Sequence, residues 1–238
     1  MNRRRFYQLR NTSVLFAILV FFTQVCAAQA YRYLNMEDGL GSQKVYRILQ
    51  DSLGYMWFLT QEGPDRYNGK EIKHYELTDK GQKLNMQFNL NWLYMAGDGA
   101  LWGIGRKGRI FRYELERDRF EQVYMPSQPE KGIASPNITY SYMDHSGRIW
   151  LCSKEQITLF DTRTEKAFPL SCDIISNITS IEQMDGMNFF IGTESGLYQA
   201  ILDEQRMSLT CKSAYDLHIP VSELFFSDTL KKLFVGTF

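Results

Sequence analysis

The sequence predicts an all-β chain of four-stranded antiparallel blades, an incomplete β-propeller with four full blades and half of a fifth. Three observations predict it. One aromatic recurs with a period in the forties, a tight-turn signal stands at a constant offset before it, and a second turn signal stands at a constant offset after it.

The recurrent aromatics are Trp57, Trp102, Trp150, Phe190 and Phe234, spaced 45, 48, 40 and 44 residues apart. Asp51, Asp144 and Asp228 precede their aromatics by six positions, and Gly54, Gly99 and Gly147 precede theirs by three. An Asp at the opening of a tight turn bonds the backbone ahead of it, and Gly supplies the positive φ at its close. Each repeat therefore begins strand, tight turn, strand. Three residues after the aromatic come Thr60, Gly105, Ser153, Thr193 and Thr237, and six after it Gly63, Gly108 and Gly196 mark the second turn. A third strand then ends on Tyr67, Tyr113, Phe160 or Tyr198, and a fourth is plainest from Ile72 to Leu77.

This register places blades at 41–78, 85–125, 134–170 and 175–211, with a fifth begun at 219–238. A single blade cannot bury both of its faces, so such units stack in rows. The five recurrent aromatics are accordingly expected to pack between blades. The chain stops at Phe238, before the third and fourth strands of its fifth repeat. At the other end Tyr31-Arg32-Tyr33-Leu34 resembles a fourth strand with no blade before it, the kind of outer strand that completes the last blade of a ring. Both ends lead us to expect the first part of a longer protein, with an apolar blade face and strand edges left exposed.

Residues 1–30 have the form of a signal peptide: Arg3, Arg4, Arg5 and Arg10, then the apolar run Val14 to Phe22, then Ala28-Gln29-Ala30. The apolar run is short for a bilayer span, which needs ~20 residues, and fits a signal-peptide core. Cleavage after Ala30 leaves 31–238 as the mature partial propeller; an uncleaved signal anchor is the alternative. Cys26 would suit a lipoprotein, but Val25 stands where a small residue is wanted. Lys+Arg and Asp+Glu both number 27, and no basic run lies outside the N-terminus, which speaks against nucleic-acid binding. Cys152, Cys172 and Cys211 remain after the leader, an odd count without metal-type spacing. Cys172 and Cys211 fall at similar points of successive repeats, so either a bridge in an oxidising compartment or two small buried hydrophobes fits them.

The repeats resemble the two-component regulator propeller repeat, whose hallmark runs hydrophobic-x-x-hydrophobic-x-x-Asp-x-x-Gly-x-hydrophobic-Trp and then a Gly-Thr step. The best matches are Val45 to Trp57 and Asp144 to Trp150; Gly192-Thr193 and Gly236-Thr237 keep the Gly-Thr step, and Glu37-Asp38-Gly39-Leu40 resembles the segment before the first repeat. Leu59, Ile104 and Cys152 depart from the usual Gly, and Phe190 and Phe234 from Trp. The resemblance implies an exported, periplasmic sensor region of a membrane histidine kinase, often a hybrid kinase-regulator anchored in the inner membrane. It further implies an oligosaccharide ligand, and as partners the remaining blades and the kinase of the parent protein. It implies dimers as well, through parts outside this chain. The region itself is expected to be non-catalytic and to bind no nucleic acid.

A search for chemistry returns no catalytic residue, metal site or cofactor. Gly103-Ile104-Gly105-Arg106-Lys107-Gly108 matches a dinucleotide fingerprint as a string, but the residues after it alternate like a strand where a helix is required. His74, His145 and His218 are far apart. The candidate ligand contacts are Gln61, Glu62, Arg106, Lys107 and Glu194, chosen because they follow the second strand of their blades; ordinary turn surface is the alternative. The rival function is an exported propeller enzyme, a polysaccharide lyase or hydrolase, which needs an acid and a base converging in the central channel.

Overall fold

The computed structural model describes residues 32–84, 90–126, 137–173, 177–214 and 219–237. The expected leader, with Ala28 and Ala30 at its cleavage site, lies outside them. The chain divides into two units, 1–34 and 35–238. Of the first, residues 32–34 are described; they form no strand, and Tyr33 is 90% exposed.

The second unit opens with a 3-10 turn at Met36–Asp38, capped by the Asn35 side chain. The Gly41 N–H then donates to Oδ2 of the buried Asp65 at 2.7 Å, while the other Asp65 oxygen lies 2.6 Å from Nδ1 of His74. That carboxylate ties the entering chain to the first repeat.

The first repeat is an antiparallel sheet of β1 (Val45–Gln50), β2 (Met56–Thr60), β3 (Gly63–Tyr67) and β4 (Ile72–His74), in that spatial order. Next come two short strands, β5 (Leu77–Asp79) and β6 (Gln82–Lys83). The second repeat is β7 (Leu90–Met95), β8 (Leu101–Gly105), β9 (Ile110–Glu114) and β10 (Arg119–Tyr124), with β5 and β6 added beyond β10. The third is β11 (Tyr140–Met143), β12 (Arg148–Cys152), β13 (Ile157–Asp161) and β14 (Lys166–Cys172). The fourth is β15 (Ile178–Asp185), β16 (Asn188–Thr193), β17 (Gly196–Asp203) and β18 (Ser208–Ser213); β14 and β18 pair in parallel and join the two sheets. Finally β19 (Val221–Ser227) and β20 (Lys232–Thr237) form a hairpin. The Gly103 to Gly108 string spans the end of β8 and a turn into β9, with no helix following.

The recurring turn signal has a specific structure. In the first repeat Asp51 Oδ1 accepts the N–H groups of Leu53 and Tyr55, and Oδ2 accepts the Trp57 indole N–H at 2.8 Å. Asp144 repeats this with Ser146, Arg148 and the Trp150 indole at 3.1 Å. Gly54, Gly99 and Gly147 close these turns at φ +87, +84 and +78, the left-handed region that a side chain would strain. One carboxylate thus shapes the turn and holds the aromatic that packs on the next repeat.

The expected fourth strand from Ile72 to Leu77 is split. β4 ends at His74, and β5 pairs in parallel with β10 of the second repeat. Between them Tyr75 turns inward, its ring 5.2 Å from Trp57 and its hydroxyl donating to Asp118 at 2.6 Å. Burying that ring at the seam outweighs extending the strand.

The repeats pack face to face through apolar clusters. Trp57 and Leu59 meet Leu93, Phe111 and Phe120. Trp102 meets Ile149 and Phe160, Trp150 meets Ile191 and Phe189, and Phe190 meets Val221 and Leu224. Phe234 differs. It is 49% exposed, its ring centroid 6.1 Å from that of Phe225 at a tilt.

At the first seam, Asp118 gathers Lys73, Tyr75, Tyr113 and Arg66. Burial pushes its carboxyl up, but the hydrogen bonds from Lys73, Tyr113 and Tyr75 and the charge of Arg66 outweigh that and hold it well below the usual range. A depressed carboxyl contributes stability above its unfolded-state pKa and loses it as the pH falls. Replacing Asp118 with Asn should therefore lower the melting temperature at neutral pH, and the gap to the parent should narrow below about pH 4; thermal melts across pH 2–7, a range spanning that value, check this. An undiminished gap at low pH would contradict it.

Trp102 supplies a second test. Six residues before it stands Ala96 where Trp57 and Trp150 have Asp, and its buried indole N–H has no hydrogen-bond partner among the described residues. An unmet buried donor costs about 1–3 kcal/mol. Ala96→Asp should raise stability by roughly 1 kcal/mol, or about 2–4 °C in a chain of this size. A melt showing no gain would mean that the orphan donor costs nothing.

Candidate functional site: the channel between the first strands

The first strands β1, β7, β11, β15 and β19 each lie at the end of a sheet and are ladder-paired on one side only. Such an edge carries unpaired backbone N–H and C=O groups. These edges converge on a cavity of about 750 Å³. Its walls include Arg47 from β1, Trp92 and Tyr94 from β7, Tyr140 and Tyr142 from β11, Glu182 from β15 and Glu223 from β19, with His145 from the turn after β11.

Side chains stitch neighbouring edges together where ladders do not. The Tyr94 hydroxyl donates to the Ser141 carbonyl at 2.5 Å, and the N–H groups of Ile181 and Gln183 donate to the hydroxyls of Tyr140 and Tyr142 at 3.3 and 3.1 Å. Thr179 donates to the Val221 carbonyl at 2.6 Å, and Glu182 accepts the Phe226 N–H at 3.1 Å. Each bond spans 41 to 47 residues, one repeat. From β7 to β19, each first strand thus reaches the next one around the channel.

Burial governs the electrostatics here. It pushes the Tyr140 phenol up to about 12 and those of Tyr94 and Tyr142 up as well, so all three stay protonated at neutral pH. Glu182 is raised from the ordinary carboxyl value by burial, with the Phe226 N–H and the His145 charge opposing. The Arg47 guanidinium lies 5.1 Å from the Tyr94 ring centroid and has no carboxylate partner among the described residues. The wall therefore carries aromatic faces, one guanidinium, a histidine and three carboxylate residues, Asp144, Glu182 and Glu223, of which Asp144 is engaged by its own turn and by Arg148.

The sequence-predicted contacts lie elsewhere. Gln61 and Glu62 occupy the β2–β3 turn, Arg106 and Lys107 the β8–β9 turn, and Glu194 the β16–β17 turn. Glu194 is held by Asn177, and the Arg106 N–H donates to Asn91. None of the five lines the channel cavity, whose lining reaches Gly97, Asp144 and His145 at the opposite strand ends. The channel residues were missed because a first strand reads as ordinary alternation. The available signal was Tyr at alternate positions of β11 and Trp and Tyr at alternate positions of β7.

Residues 39–62 match the two component regulator propeller family. The comparison with curated proteins found no match. Among solved structures, the chain is similar to the extracellular domain of a hybrid two-component system of B. thetaiotaomicron, at 21% identity and a TM-score of 0.65, covering 87% of this chain and 29% of that one. A second such domain from the same organism gives 18% identity and a TM-score of 0.59, covering 87% and 26%. Virginiamycin B lyase of Staphylococcus aureus gives 12% identity and a TM-score of 0.62, covering 84% and 65%. The chain spans less than a third of the length of the two-component domains it matches. At these identities the likeness establishes the fold. Residues 39–62 carry a two-component regulator propeller repeat, and the chain around them has the β-propeller fold.

Proposed function

We propose that the chain is the ligand-sensing propeller region of an exported two-component sensor, and that the channel between its first strands takes a small oligosaccharide. The observation that carries this reading is the wall chemistry: Trp92, Tyr94, Tyr140 and Tyr142 lie beside Arg47, His145, Glu182 and Glu223 around one cavity. Aromatic faces pack against the C–H faces of sugar rings, while a few placed polar groups fix their hydroxyls. The family match and the fold shared with two-component extracellular domains support the signalling role. In this reading the region works in the periplasm and catalyses nothing. Further blades and a kinase belong to an inner-membrane parent protein that pairs through parts outside this chain.

The polar turn residues Gln61, Glu62, Arg106, Lys107 and Glu194 border the far ends of the strands and form the alternative contact surface. A second reading, a propeller enzyme acting on polysaccharide, draws on the presence of Glu182 and His145 in one cavity. A glycosidase pairs two carboxyls across the scissile bond, and Glu182 is already engaged by the Phe226 N–H.

Calorimetry of the chain against a panel of neutral and acidic oligosaccharides tests the proposal. Binding should weaken at least about tenfold, roughly 1.4 kcal/mol, in Glu182→Gln and in Arg47→Ala, and should be unchanged in Arg106→Ala/Lys107→Ala. Loss of binding in the turn variant alone would move the site to the far ends of the strands. Turnover of any glycan would favour the enzyme, and silence across the panel would remove the saccharide assignment.

A further inference from the structure

Ladder register defines one layer of the channel wall. On the first strands, Arg47, Trp92, Tyr140, Ser180 and Glu223 pair with Leu59, Ile104, Cys152, Gly192 and Gly236, in each repeat the position two residues after the recurrent aromatic. All five of these first-strand residues line the cavity. In β1, β7, β15 and β19 the register shifts immediately before this position. A bulge of that kind re-aims the side chain beside it. Around the layer the chemistry runs from a guanidinium on β1, through rings on β7 and β11 and a hydroxyl on β15, to a carboxyl on β19.

Arg47 is the group in this layer set up for an anion. Its guanidinium lies over the Tyr94 ring, and Tyr94 is itself fixed by the bond from its hydroxyl to the Ser141 carbonyl. A guanidinium held by a ring face keeps its fork of N–H donors for a carboxylate or another oxyanion. No carboxylate takes that fork among the described residues. Of the carboxyls in the wall, Asp144 is paired with Arg148 at 2.6 Å and Glu182 accepts the Phe226 N–H, which leaves Glu223, on the last first strand. Tyr140 adds a second donor: its oxygen accepts the Ile181 N–H, so its own hydroxyl hydrogen is left for an acceptor. We propose that the channel selects an acidic oligosaccharide, with Arg47 on the oxyanion of one sugar, Trp92 and Tyr140 against the ring faces, and Glu223 accepting hydroxyls of a neighbouring sugar. This rests on the saccharide reading of the channel and adds the charge class of the sugar. The oxyanion is a uronic carboxylate or a sulfate ester, since both present paired oxygens to a guanidinium. A neutral sugar makes the same ring and hydroxyl contacts but leaves the Arg47 charge unmatched.

The test is calorimetry of the chain with matched trisaccharides of the glucose and galactose series, each as its neutral, uronic and sulfated form. In at least one series a charged form should bind about tenfold or more tightly than the neutral one, and the arm that does so identifies the oxyanion. That preference should shrink as salt is raised. Arg47 is exposed, so Arg47→Gln should melt with the parent. It should bring the charged form down to the affinity of the neutral one while changing the neutral form by less than about twofold. Glu223→Gln should weaken both forms alike. Equal affinities for charged and neutral forms, or a preference that survives Arg47→Gln, would overturn this inference and leave the saccharide channel standing. Silence of every form would remove both.

Discussion

A four-stranded antiparallel sheet of this kind has two apolar faces and can bury neither alone. Every other feature of the molecule follows from that constraint. Trp57, Trp102 and Trp150 each lie on the face turned to the next repeat, and each meets an aromatic there: Phe120 at 5.8 Å, Phe160 at 5.9 Å and Phe189 at 4.7 Å. Rings of this size bury large areas and prefer edge-on or tilted contacts, so one aromatic per repeat fixes the seam as well as filling it. In the last hairpin, Phe225 and Phe234 remain 61% and 49% exposed.

The seams are then finished at both rims by polar groups. At the outer rim the chain leaves one repeat and pairs in parallel with the outer strand of the next, as β5 does with β10 and β14 with β18. The Thr78 hydroxyl donates to the Phe120 carbonyl there, and Asp118 collects two phenols and two cations from both sides of the first seam. At the inner rim the tyrosine, threonine and glutamate stitches occupy edge groups that no ladder reaches. A buried backbone donor or acceptor must find a partner, and a side chain one repeat away is the nearest one.

In the proposed reading, that inner rim is also where a saccharide would meet the protein. The residues that close the seams there are the ones that wall the channel, so a ligand touching Tyr140, Tyr142 or Glu182 would touch bonds between repeats three and four or four and five. Cys172 and Cys211 pack on the apolar cluster that Tyr140 and Tyr142 also join.

Much of this was legible in the sequence because it is local. The Asp51-to-Gly54 and Asp144-to-Gly147 turns, the strands around them and the buried register of Trp57, Trp102, Trp150 and Phe190 all depend on residues within about one hairpin of each other. Alternation and turn chemistry sufficed for them. The split after His74 was not legible, since Tyr75 leaves its strand for a pocket made by Trp57, Tyr113 and Phe120 from two repeats. The orphan indole of Trp102 could be suspected from Ala96, yet the acceptor role of Asp51 and Asp144 toward Trp appears only once the five intervening residues have folded back. The candidate site was the least legible part. Sequence alone decided that these repeats are all-β and how each one turns, because period and turn residues act within a repeat. Only the tertiary structure decided which residues line the channel, because those groups lie about one period apart and are brought together by the stacking of the repeats.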